Sequence, residues 1–93
     1  MLDFGTKLKE LRKGAGMTQT TLANRLNMTK SIVSYYEHQE RAPSPEVMIR
    51  LSEIFHVTTD YLLGVNDKKM IDVTDLDDEA VNALLIMIEV LKN

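Results

Sequence analysis

The residues best equipped for chemistry fall in one short stretch, Thr29 to Glu37. There the outward positions of a helix hold Lys30, Ser31, Ser34 and Tyr35. An ammonium, two hydroxyls and a phenol on one face are groups for hydrogen-bonded recognition, not for turnover. Lys30 can donate to guanine O6/N7 or to a phosphate, and Ser31 can donate or accept at several base edges. Tyr35 can reach a phosphate through its hydroxyl or lay its ring on a thymine methyl. Ile32 stands at the margin of this face, while Val33 and Tyr36 point inward.

No catalytic constellation accompanies these residues. His38 and His56 have no partners at metal-ligand spacing. Asp75, Asp77, Asp78 and Glu79 cluster, but without the order and glycine of a calcium loop, and they read as the solvated start of a helix. The chain has no cysteine, so it holds neither disulfides nor thiolate metal sites. The sequence therefore predicts no enzyme, no metal and no cofactor.

Two short helices position the polar face. Leu22, Ala23 and Leu26 recur at helical spacing, and Val33 and Tyr36 do so after a break. Thr18 precedes the first run and Thr29 the second, each able to accept a backbone N–H as a cap. Asn27 falls at the turn between them and tolerates a left-handed backbone better than most residues. Ala23 is small where the second helix must cross the first. These features predict a helix-turn-helix.

The flanking chain completes a domain. Phe4 to Lys13 is predicted as a helix with Phe4, Leu8 and Leu11 inward and Lys7, Lys9 and Lys13 mostly outside the stripe. Gly14-Ala15-Gly16 ends it. After a polar loop, Ser44-Pro45-Glu46 is a helix start with a cap, a first-turn proline and an acid. That helix carries Val47, Met48, Leu51, Ile54 and Phe55 inward and ends near His56. Thr58 caps a last short helix that packs Tyr61 and Leu62 and stops at Gly64. Residues 1–64 thus form a five-helix all-α domain, and 65–73 form a linker.

Residues 74–93 predict a further helix, started by Thr74, Asp75 or Asp77. Val81, Leu84, Ile88 and Leu91 follow 3, 4, 3 spacing, and Leu85, Ile86, Met87 and Val90 widen the seam. Such a helix either folds back on its own domain or pairs with its twin from a second chain. Pairing is the expectation, through Val81, Leu84, Leu85, Ile88 and Leu91, because the five-helix domain is complete without it.

Net charge is −3, an unpromising sign for nucleic acid until the chain is divided. Residues 1–56 hold eight Lys/Arg against six Asp/Glu, a balance of +2, and 57–93 hold three against eight, a balance of −5. The acidity belongs to the tail. A mildly basic front half binds DNA weakly without specific contacts. The start of the chain lacks the apolar core of a signal peptide, and the apolar run 83–88 is far short of the ~18 residues of a membrane span. A cytoplasmic protein with no membrane partner is expected.

The ordered set Leu11-Arg12, Met17-Thr18-Gln19, Leu22-Ala23, Leu26-Asn27-Met28-Thr29, Val33-Ser34, Tyr36-Glu37, Arg41-Ala42-Pro43-Ser44 and 57–64 resembles the Cro/CI-type (XRE-type) repressor family of phages and bacteria. The resemblance spans about residues 4 to 64 and implies a lambda-repressor-like fold whose second motif helix enters the major groove. It maps base readers to Lys30, Ser31 and Tyr35, with Ser34 beside them. Gln19, at the start of the motif's first helix, maps to a phosphate contact, with Thr18, Thr29 and Arg41 as companions. Arg12 and Glu37 map to a structural ion pair between the first helix and the end of the recognition helix. The chain departs from the pattern at Gln39, where a glycine is usual, and at Glu40, which adds a negative charge near the expected phosphate path.

These readings lead to a homodimeric, sequence-specific regulator, a repressor at a near-palindromic operator. Two rivals are an antitoxin-type autoregulator whose tail holds a toxin, and an interaction module that kept the fold without DNA binding. The chain has no room for the self-cleaving protease domain of longer family members. Release from DNA then falls to an antirepressor or other partner protein, or to changing concentration.

Overall fold

The structure, a computed structural model, describes residues 3–65 and 73–92. Six helices follow in order: α1 (Phe4–Gly14), α2 (Gln19–Arg25), α3 (Lys30–Glu37), α4 (Pro45–Phe55), α5 (Thr59–Leu63) and α6 (Asp78–Lys92). Residues 66–72 of the expected linker lie outside the described residues. No strand is present among the described residues.

The first five helices start and stop by one repeated device. Asp3, Thr18, Thr29, Ser44 and Thr58 each accept, through a side-chain oxygen, the N–H three residues on. That bond satisfies one of the donors a helix start leaves open. At the far ends, Met17, Met28, Glu40, Val57 and Val65 each donate an N–H to the carbonyl five residues back, at 2.8–3.1 Å. The residue before each donor is left-handed: Gly16 (φ 71°), Asn27 (59°), Gln39 (59°), His56 (55°) and Gly64 (79°). This six-to-one closure consumes a spare carbonyl and reverses the chain, which explains how such short helices connect so tightly.

The core is built from Leu8, Leu11, Leu22, Ala23, Leu26, Val33, Tyr36, Val47, Met48, Leu51, Val57 and Leu62. Ile54 and Phe55 of α4 are only half-buried, as is Phe4. α3 packs against both α1 and α2, while α5 bridges α1 and α4. Buried apolar area of this kind contributes about 25 cal/mol per Å², so α3 is fixed by its inner stripe of Val33 and Tyr36.

Two residues of α1 show what the apolar stripe alone does not. The helical period puts Lys7 mostly outside the apolar stripe, yet it is 4% exposed. Its Nζ donates to the Tyr61 carbonyl oxygen at 2.8 Å and lies 4.6 Å from the centre of the Tyr61 ring. The spacing explains it: position 7 falls three residues after Phe4, within the face that turns toward α5. Gly5 is also buried, and a Cβ there would overlap the Glu37 carbonyl oxygen. Its missing side chain is what lets α1 approach the end of α3.

α6 is set apart by what it fails to bury. Asp77, among the three cap candidates, accepts the Ala80 N–H at 2.8 Å. No residue of α6 is buried. Leu84, Leu85, Ile86, Met87, Ile88, Val90 and Leu91 are between 39% and 77% exposed.

Candidate nucleic-acid interface

α3 is polar outside and apolar inside for reasons visible in its eight residues. Val33 and Tyr36 are buried against the core, and Ile32 packs at its edge. Thr29 holds the first turn through Ile32 N–H at 3.4 Å. With the inner stripe pinned, Lys30 and Ser31 are left exposed, and Ser34 and Tyr35 half-exposed. The four residues singled out from sequence therefore share one face that the chain itself leaves open at its N-terminal turn.

The C-terminal half of that face is more organised than the sequence implied. Ser34 lies one turn before His38, whose Nδ1 is 2.8 Å from the Ser34 carbonyl oxygen and 3.4 Å from its hydroxyl. The Arg41 guanidinium sits over the Tyr35 ring, 5.0 Å from its centre. The spacing of Ser34 and His38 carried a signal for the first contact, since residues four apart on a helix are neighbours. The second depends on the reversal at Gln39, which no local pattern announced.

Behind α3 lies a charged knot. Arg12 Nε and Nη2 donate to the two carboxylate oxygens of Glu37 at 2.6 and 3.1 Å, and Nη1 donates to the Met17 carbonyl oxygen at 2.9 Å. The two side chains are only 9% and 2% exposed. A forked guanidinium–carboxylate pair of this kind is strong and directional, and it joins α1 to the last residue of α3. Gln19 joins the same knot: its Nε2 donates to Glu37 at 3.1 Å. Gln19 is half-exposed, and its second amide hydrogen is not used by that bond.

Thr18 and Thr29 serve as caps in the structure, and Thr18 also shares a hydrogen bond with the Thr21 hydroxyl at 3.0 Å. Both remain exposed, flanking the start of α2 and of α3. Arg41 is exposed as well and makes no ion pair among the described residues. No group of three or more metal-ligating side chains occurs among the described residues. No helix among them is long and apolar enough to cross a membrane.

The same architecture and sequence recur in known proteins. A helix-turn-helix family model matches residues 8–62, more than half of the chain. The transcriptional regulator ImmR of Bacillus subtilis (strain 168) is 37% identical over 81 residues, covering 87% of this chain and 64% of ImmR. The uncharacterised regulator YqaE of the same organism is 34% identical over 82 residues, covering 87% of this chain and 66% of YqaE. The chain thus spans a little under two thirds of the length of these relatives. Among solved structures, a transcriptional regulator from Listeria innocua superposes with a TM-score of 0.65 at 25% identity, covering 97% of this chain and 92% of the other. The P22 c2 repressor, solved with a synthetic operator, shares the fold with a TM-score of 0.66 at 24% identity, over 71% of this chain and 100% of that one. With the helix-turn-helix of α2 and α3, its capped turns and this sequence identity together, the chain belongs to the XRE-type helix-turn-helix family of DNA-binding transcriptional regulators.

Proposed function

We propose that this protein is a sequence-specific, homodimeric repressor that binds a near-palindromic operator in the cytoplasm of a bacterium or a phage host. α3 enters the major groove, where Lys30, Ser31, Ser34 and Tyr35 meet base edges. Thr18, Gln19, Thr29 and Arg41 meet the flanking phosphates and fix the register. The observation that carries this reading is the open polar face of α3, left uncovered while the reverse face is locked by Val33, Tyr36 and the Arg12–Glu37 pair. A helix held so firmly from behind needs no further ordering of its backbone on binding, which leaves only the outer side chains to be ordered.

The second copy of the chain docks on α6. Val81, Leu84, Leu85, Ile88 and Leu91 line an apolar face with Val73 and Met87, and four or five aliphatic side chains of this size supply on the order of 8–12 kcal/mol before association costs. Two copies present two recognition helices, matching half-sites about one helical turn apart.

Selection from a pool of random duplexes tests the reading. The expected result is an enriched near-palindrome. An unenriched pool, with the full chain folded and dimeric, overturns it in favour of an interaction module.

A further inference from the structure

The reversal after α3 does more than end a helix. Glu40 N–H closes on the Tyr35 carbonyl oxygen at 2.8 Å and Gln39 N–H on that of Tyr36 at 3.2 Å. Gln39 takes a left-handed backbone (φ 59°) that a residue with a Cβ adopts only at some cost. Its side chain lies close to α1: a Cβ on Gly5 would stand 2.9 Å from Gln39 Cγ. The chain is thereby reversed, and Arg41, two residues after Gln39, lands over the ring of Tyr35. Arg41 makes no ion pair among the described residues, so the ring is the partner the structure gives its charge.

We propose that Arg41 is a positioning residue for base readout, fixing the Tyr35 ring through the guanidinium–ring stack and so setting the base preference at the position Tyr35 reads. This rests on the DNA-binding reading above and deepens it. A tyrosine on a helix surface otherwise samples more than one rotamer. A cation lying on one ring face selects among them, and it leaves the hydroxyl and the opposite face to the groove. The loop cation then has a consequence for sequence that a plain phosphate contact lacks.

The experiment is a comparison of selected-duplex profiles for the full-length chain and for Arg41→Ala, Tyr35→Ala and the double variant, each first shown to melt like the unaltered protein. The expected result is that Arg41→Ala changes discrimination by about two- to fivefold at one base-pair position per half-site, the size of an exposed cation–π contact. Tyr35→Ala changes the same position, and the double variant matches Tyr35→Ala there. A profile for Arg41→Ala identical to the parent's, with affinity lowered evenly for all sequences and the salt slope reduced by about one, shows a phosphate contact alone and overturns the proposal while sparing the DNA-binding reading. A parent chain that enriches no sequence overturns both.

Discussion

Gly5 lies beneath the carbonyl oxygen of Glu37, so close that a methyl group in place of its hydrogen would overlap that oxygen. The contact sets the distance between the first helix and the end of the recognition helix. Alanine is ordinarily the better helix former by about 1 kcal/mol, so a Gly5→Ala substitution on an open helix would stabilise. Here the obstacle is backbone, which cannot rotate away, and we expect a net loss of about 1–3 kcal/mol, measured as a lower thermal midpoint. A midpoint equal to or above the parent's would show that the two helices separate freely.

Arg12→Ala strands a carboxylate whose side chain is 2% exposed. The expected cost is about 3–5 kcal/mol, with a fall in the denaturant midpoint and a loss of DNA binding in proportion. Replacing both partners by apolar residues of similar size should cost much less than the two single losses added together. Unaltered stability in Arg12→Ala would reduce the pair to a surface contact.

Residues on the open face and at its border should separate by their effect on sequence preference. Lys30→Ala and Ser31→Ala are expected to change the selected operator, each by about 1–3 kcal/mol of discrimination where a paired contact is lost. Gln19→Ala is expected to weaken all duplexes by a similar factor and leave the preferred sequence in place. Competition binding against a panel of single-base operator changes distinguishes the two patterns.

The bare aliphatic face of α6 predicts a simple change of mass. Replacing Leu84 and Ile88 by Glu in the full chain should yield a monomer by sedimentation, with the thermal unfolding of the five-helix domain retained. Operator affinity should then fall, since two half-sites are no longer engaged together. A parent chain that is itself monomeric, or a variant that stays dimeric, would remove α6 as a dimer contact.

Asp3 gives the acid limb of stability a sign. Its carboxyl is held below the ordinary value of 3.8, first by the bond from the Thr6 backbone N–H and then by the Thr6 hydroxyl. Because the folded value is the lower one, this contribution is present above pH 3.8 and is lost as pH falls through the folded value. Unfolding curves of the parent and Asp3→Ala should therefore differ at neutral pH and converge in acid. A constant gap across the whole range would assign the effect to the helix start alone and not to the charge.

Most helix boundaries were legible because their chemistry is local. Thr18, Thr29, Ser44 and Thr58 cap as their positions before apolar runs predict, and Asn27 and Gly64 turn as their types allow. Asp3 caps α1 from one residue before Phe4, the same kind of local signal. The polar face of α3 was legible too, since helical period alone separates Lys30 and Ser31 from Val33 and Tyr36. What the pattern concealed came from contacts between elements distant in the chain. Lys7 meets Tyr61, Gln19 meets Glu37, and Gly5 matters through Glu37. Each depends on how helices approach in space, and a buried lysine or a tolerated glycine has the same letters as an exposed one.

Five helix ends use a left-handed residue, and at three of them the residue is Asn27, Gln39 or His56. Asn is the mildest of these compromises; Gln39 has a place against α1, and His56 is exposed. The domain therefore leaves thermal headroom unclaimed at position 56, where glycine would relax the backbone at the end of α4, outside the set proposed to meet DNA. An engineer seeking a hardier scaffold would begin there rather than at Thr18, Gln19 or Thr29, where one side chain both holds the fold and borders the open face of α3.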